Sequence, residues 1–276
     1  MKPTLINDKM VARLQHCDNE VNSDFNTPER LEIRCKKIES QANPEHSVDL
    51  ISLLSSYLEA KAMSHWFHGG DLATFKNLCY NILKLKYICG QPPCNNASPR
   101  TAIEDSIFYL LSDHEPLISW FSQLIYDYEV EVNHKESSKV NDGAYYSLQL
   151  ALALRGDLDL LGERAEYFVE NPPKNWAKRF LLDNQFYVAL AKGDKQGMEA
   201  VIRELVTPRK IYQRQSAEGA YTENLISSLG LRYSKLAWRY GYEIIVDSPY
   251  FPKEWIPVQP LENYEDEFDF MKAFPI

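Results

Sequence analysis

Glycine is scarce in this chain, with 11 in 276 residues. Few backbone positions can therefore take positive φ without strain. That counts against a turn-rich all-β sandwich and against loops that cradle phosphate on backbone N–H groups. Nucleotide motifs are also missing: neither Gly-x-Gly-x-x-Gly nor a Walker A pattern occurs. There is no Gly-x-Ser-x-Gly nucleophile elbow. No run approaches the ~18 apolar residues of a membrane span. The start, Met1 to Met10, lacks the apolar stretch of a secretory leader, so a cytoplasmic location is expected. Positive charge is in deficit: 30 Lys and Arg against 39 Asp and Glu leave a formal charge of −9. That balance disfavours a nucleic-acid ligand and favours a basic partner protein.

The five cysteines are Cys17, Cys35, Cys79, Cys89 and Cys94. An odd number without a leader fits reduced thiols. Cys89 and Cys94 flank Gly90-Gln91-Pro92-Pro93, but no second Cys/His pair stands at zinc-finger spacing. They read as small residues at a helix end and in a loop. His65 and His68 stand at i and i+3, close enough to share a metal. The residues three before them are Ala62 and His65, so neither belongs to the Glu-x-x-His pattern of di-metal bundles. No catalytic residue, cofactor or metal is assigned.

What the chain does have is helical periodicity. Leu50, Ile51, Leu54, Tyr57, Leu58 and Ala62 fall on one face behind a Ser47 cap. Asp71 caps a second helix that carries Leu72, Phe75, Leu78, Cys79, Ile82 and Leu85. Ser98-Pro99 opens a third and Pro116 a fourth. Glu129 to Asn141 is polar and reads as a surface loop between two helical halves, residues 1–131 and 132–276 of one continuous domain. The second half repeats the pattern in three helices, ending at Arg155, before Asn171-Pro172-Pro173 and at Lys192, and in a fourth before Thr207-Pro208. Gly70-Asp71, Gly156-Asp157 and Gly193-Asp194 each read as a left-handed helix stop followed by a cap. Ile211 to Gly219 reads as a loop and Tyr221 to Tyr240 as a helix stopping at Gly241. Glu243-Ile244-Ile245-Val246 reads as one short β segment. The expected fold is all-α: stacked antiparallel helical hairpins with one short strand near the C-terminus.

The tail from Leu261 to Phe270 interleaves Glu262, Glu265, Asp266, Glu267 and Asp269 with Tyr264, Phe268 and Phe270, and contains no Lys or Arg. Such a tail can imitate a nucleic-acid strand before a basic groove, with aromatic anchors. It also reads as a frayed terminus with aromatics tucked onto the body.

Gly230 to Pro252 carries a helix ending at Gly241, an aliphatic segment closed by Asp247, and then Ser248-Pro249-Tyr250-Phe251-Pro252. This order resembles the C-terminal hallmark of the immunity protein 49 family. The resemblance implies a cytoplasmic, non-enzymatic antidote of a polymorphic-toxin system, binding a cognate toxin domain, often a nuclease, and blocking it. The extended N-terminal region and the acidic tail beyond Pro257 depart from the hallmark. Expected partner contacts are Asp247, Tyr250, Glu262, Glu265, Asp266 and Glu267, with the charged loop around Glu129, Glu131 and Glu136 as a second surface. Gly241, Ser248, Pro249 and Pro252 read as scaffold. Two other readings stay open: a helical adaptor or chaperone for an effector, and a hydrolase with a metal at His65 and His68.

Overall fold

The computed structural model describes residues 5–40, 44–92, 94, 102–140 and 142–276. Thirteen α-helices occur among them. Those of the first half are α1 (Asp8–Val21), α2 (Pro28–Glu39), α3 (Pro44–Phe67), α4 (Leu72–Gly90), α5 (Ala102–Leu111) and α6 (Glu115–Asp127). The second half holds α7 (His134–Ser137), α8 (Gly143–Arg155), α9 (Leu158–Glu170), α10 (Leu181–Ala191), α11 (Lys195–Leu205), α12 (Pro208–Gln213) and α13 (Ser228–Arg239). The expected opening of a helix at Ser98-Pro99 lies outside the described residues.

Local chemistry sets most of the boundaries. Asn7 caps α1, Thr27 with Pro28 opens α2, and Asp71 accepts from the Thr74 N–H at 2.8 Å to start α4. At the end of α3 the left-handed residue is Gly69 (φ 86°), one position earlier than the Gly-Asp reading placed it. Gly70 serves a different need, since a Cβ there would overlap the His65 ring. Asp194 caps α11, whereas Asp157 pairs with Arg155 at 3.0 Å instead of capping α9.

The helices stack as expected. α3 packs on α4, and α1 and α2 lie against α3. α8, α9, α10 and α11 follow one another as hairpins, while α6 on α8 and α13 on α5 tie the halves together. One connected apolar core runs from Met10 to Met271.

Four local expectations are corrected. Glu243–Val246 forms no strand, and none occurs among the described residues. The alternation is real, because Ile244 and Val246 are buried and Ile245 is exposed, but no second strand lies beside it. The Ile244 carbonyl instead accepts from Ser234 Oγ at 2.5 Å and Trp238 Nε1 at 3.1 Å on α13. The supposed loop from Glu129 is a π-helical turn, Tyr128–Val132, followed by α7. Ser137 Oγ closes it by donating to the Glu129 carbonyl at 2.9 Å. The expected loop from Ile211 begins inside α12, which Thr207 and Pro208 initiate. Finally, α13 starts only at Ser228, seven residues later than expected. Ser227 caps it, and Asn224 takes a left-handed φ of 64° in the preceding turn.

The Glu218 carboxylate completes that start, accepting from the Ser228 N–H at 2.8 Å and from its hydroxyl. Burial raises its pKa from 4.5 to about 7, outweighing these donors.

The deepest polar feature is ionic. Asp113, in the turn between α5 and α6, adopts φ 55° and is 2% exposed. It lies 2.7 Å from Lys76 of α4 and 2.7 Å from Lys235 of α13, both buried. The remaining Lys235 protons go to the carbonyls of Trp255 and Pro257, each at 3.0 Å. Lys76 also donates to the Gln259 carbonyl at 2.6 Å, and the Gln259 N–H donates to Asp113 at 3.1 Å. Burial pulls the Lys235 pKa down to about 8 against the opposing pull of Asp113. Trp255, fully buried, stacks on Phe75 at 4.2 Å beside this clasp.

Two outcomes follow. Asp113→Ala leaves two buried ammonium groups without a counter-ion, so it should cost about 3–5 kcal/mol in a denaturant titration. Glu218 binds its proton more tightly when folded, so its contribution to stability is full below pH 4.5 and is lost as pH rises through about 7. Glu218→Gln should therefore gain on the parent between pH 5 and pH 8. After allowance for screening at this partly exposed group, the gain is on the order of 1–2 kcal/mol, read from urea midpoints at both pH values.

Candidate partner-binding surface

The acidic tail is docked along α4 rather than frayed. Asn77 and Asn81, one turn apart, present their amides to it as a strand edge would. Asn77 accepts from the Glu265 N–H at 2.8 Å and donates to the Glu265 carbonyl at 3.0 Å. Asn81 donates to the same carbonyl at 2.9 Å and accepts from the Glu267 N–H at 2.8 Å. Phe268, Phe270 and Met271 then enter the core.

This docking divides the expected contact residues. Asp266 is held by Lys84 at 2.7 Å and by the Tyr80 hydroxyl at 3.1 Å. Glu267 pairs with Lys61. Tyr250 is buried, its hydroxyl accepting from Asn7 at 3.0 Å and its carbonyl from the Ser227 N–H at 2.8 Å. Glu129 is 0% exposed within the π-helical turn. Tyr250 and Glu129 are thus buried, and Asp266 and Glu267 are partly buried and paired within the chain. Asp247, Glu262, Glu265 and Glu131 remain exposed.

A second acidic face escaped the sequence reading. On α9, Asp159, Glu163, Glu166 and Glu170 recur at steps of four, three and four, which puts them on one stripe. Tyr167 stands in that stripe, 60% exposed. The stripe borders a shallow groove of about 600 Å³ whose other wall holds Ser138 and Tyr145. Arg164 sits between the walls, but its charge is turned inward. Its guanidinium lies over the Tyr145 ring at 4.2 Å and donates to the Ser137 carbonyl at 2.7 Å. Glu166 pairs with Lys192 at 2.6 Å in an exposed bridge of small energetic weight. Among the described residues Asp159, Glu163 and Glu170 form no ion pair. Their spacing on the Leu158–Glu170 helix was the signal that could have found them.

The hallmark segment points inward. Gly241 takes φ 80° after α13, and a Cβ at Gly230 would stand 2.5 Å from Val206 on the end of α11. Ser248 accepts from the Tyr250 N–H at 3.3 Å and donates to the Val206 carbonyl at 3.3 Å. These contacts hold the start of α13 in place.

Burial pushes Cys17 and Cys89 up to about 12 and Cys35 to about 11, so they stay protonated. His68 faces Asp18 at 3.0 Å while His65 faces the Asp71 carbonyl at 3.2 Å. One Glu-x-x-His pattern does occur, at Glu131 and His134, but it is single and exposed. Among the described residues no three His, Cys, Asp or Glu side chains gather as a metal site, and no helix is long and apolar enough to cross a membrane.

Residues 139–255 match the family model of immunity protein 49, which bears out the resemblance read from Gly230 to Pro252. The matched region runs from residue 139 to Trp255, so the acidic tail and all of the first half lie outside it. No curated protein and no solved structure matches the chain.

The tail latch is open to a direct check. Asn81→Ala leaves the part-buried Glu267 N–H without its acceptor, at a cost of about 1–2 kcal/mol. Hydrogen exchange should quicken at the amides of residues 265–271 and stay unchanged on α9.

Proposed function

We propose that this protein is an immunity protein that binds a toxin effector domain and blocks it without chemistry of its own. The match over residues 139–255 to immunity protein 49 carries this reading. The exposed acids support it. A toxin that cleaves nucleic acid needs a basic groove for the phosphate backbone. The α9 stripe, with Tyr167 as an aromatic anchor, fits such a groove in charge and presents its carboxylates on a rigid hairpin. Glu131, Glu262, Glu265 and Asp247 supply further negative surface. Occlusion of the toxin's active site or substrate groove is the mechanism. Opposite charge accelerates encounter, and the stacked helices keep the surface preformed, so little ordering entropy is lost on binding.

Deleting the tail is a poor test, because residues 261–276 include three core side chains. Charge reversal at exposed positions avoids that difficulty. Cells expressing the isolated toxin domain should be rescued by the parent protein. Asp159→Lys, Glu163→Lys and Glu170→Lys together should slow association by on the order of tenfold or more and weaken protection. Glu262→Lys with Glu265→Lys tests the tail surface in the same way. Binding without rescue, at a non-toxic region of the effector, would identify an adaptor and sink the proposal.

A further inference from the structure

A separate cavity of about 220 Å³ opens between α8, α10 and α13. Its charge is opposite in sign to that of the whole chain. Arg179, Arg214 and Arg232 line it, with Asp183 as the lining carboxylate. Asp183 pairs with Arg214 at 2.6 Å and Glu218 interacts with Arg232, whereas Arg179 forms no ion pair among the described residues and is the guanidinium left to an anion, in a protein of net −9.

The walls are built rather than accidental. Arg214 clamps Asp183 through two bonds of 2.6 and 3.0 Å, and the Tyr233 hydroxyl donates to the same carboxylate at 2.5 Å. Burial raises the Asp183 pKa, but Arg214 outweighs it and holds the carboxyl below its ordinary value. Asp183 is therefore spent on fixing Arg214. Tyr146 and Phe180 stack at 3.8 Å on one wall, and Tyr187 and Tyr233 meet edge to face on another. Arg179 stands exposed at the rim, 5.0 Å from the Phe180 ring centre and 3.4 Å from Ser216 Oγ. An apolar, aromatic hollow with a few convergent polar groups is the usual form of a small-molecule site. A guanidinium at its rim suits a planar carboxylate in particular.

We propose that this cavity binds a small aromatic carboxylate. The carboxylate meets the Arg179 fork at the rim, and the planar body lies among the four rings. This assignment is independent of toxin neutralisation and goes beyond it.

Titration of the full chain with benzoate tests it, using isothermal calorimetry and saturation-transfer NMR. Benzoate should bind saturably, with a Kd of about 1 mM for so small a ligand. Benzyl alcohol, the neutral counterpart, should bind at least about tenfold more weakly. Arg179→Gln should weaken benzoate about tenfold, while Arg203→Gln, exposed on α11, should leave it unchanged. Gly143→Leu supplies a second variant that folds: a Cβ there meets nothing within 4 Å, yet Gly143 lines the rim. It should reduce benzoate binding with an unchanged or higher melting temperature. Absence of saturable binding up to about 10 mM would overturn the proposal. So would inorganic phosphate binding in place of benzoate, or a benzoate affinity indifferent to both Arg179→Gln and Gly143→Leu.

Discussion

One carboxylate between two ammonium groups holds this molecule in register. Asp113 draws Lys76 and Lys235 from helices far apart in sequence into one buried cluster. An ammonium has three protons, and Lys235 aims its own at Asp113 and at two carbonyls of the C-terminal segment. A buried ion pair is weak evidence for net stability, because desolvation offsets much of its attraction. Its direction is what matters. An apolar cluster would accept the segment in several registers, whereas these donors accept residues 255 to 259 in one. Once Gln259 is fixed, the tail begins at a defined point above α4. The amides of Asn77 and Asn81 then meet the backbone of residues 265 to 267 rather than some neighbouring stretch.

That placement changes the meaning of the net charge. Acidic residues in a negatively charged chain invite the assumption that they all face outward. Here Asp266 and Glu267 are neutralised by Lys84 and Lys61, and Glu129 is enclosed by a π-helical turn. The negative field available to a partner comes from acids without such internal partners. The α9 stripe concentrates them on a single helix face, where their separations are fixed by the backbone.

What the sequence made legible was local. Helix caps at Asp71 and Asp194, proline at the first turn, and three- and four-residue apolar spacing all act within a few residues, so the hairpins could be read directly. Thr207-Pro208 shows how such a signal can be misread, as a helix break where it opens α12. Glu243 to Val246 has genuine strand alternation, but a strand is defined by its neighbour, and only α13 was there to receive it. The α1 and α2 helices carry their own caps at Asn7 and Thr27 and went unassigned despite them. Nothing local marks Asp113 as the partner of a lysine 122 positions away, because a single charge between polar neighbours looks solvated. The cavity between α8, α10 and α13 is hidden for the same reason, since its three arginines come from separate elements.

The inward orientation of the hallmark separates two physical jobs within one region. Gly230, Gly241, Ser248 and Tyr250 spend their chemistry on helix approach, chain reversal and the capping of α13. None of that requires a particular outer surface. The exposed face of α9 carries no structural obligation beyond helix propensity, so acids can be placed there at almost no cost to the fold. A scaffold organised this way can hold its architecture while its outer charges are matched to whatever basic surface they must cover. The segment that carries the family match is occupied with holding the fold, and the acids of the α9 stripe are not.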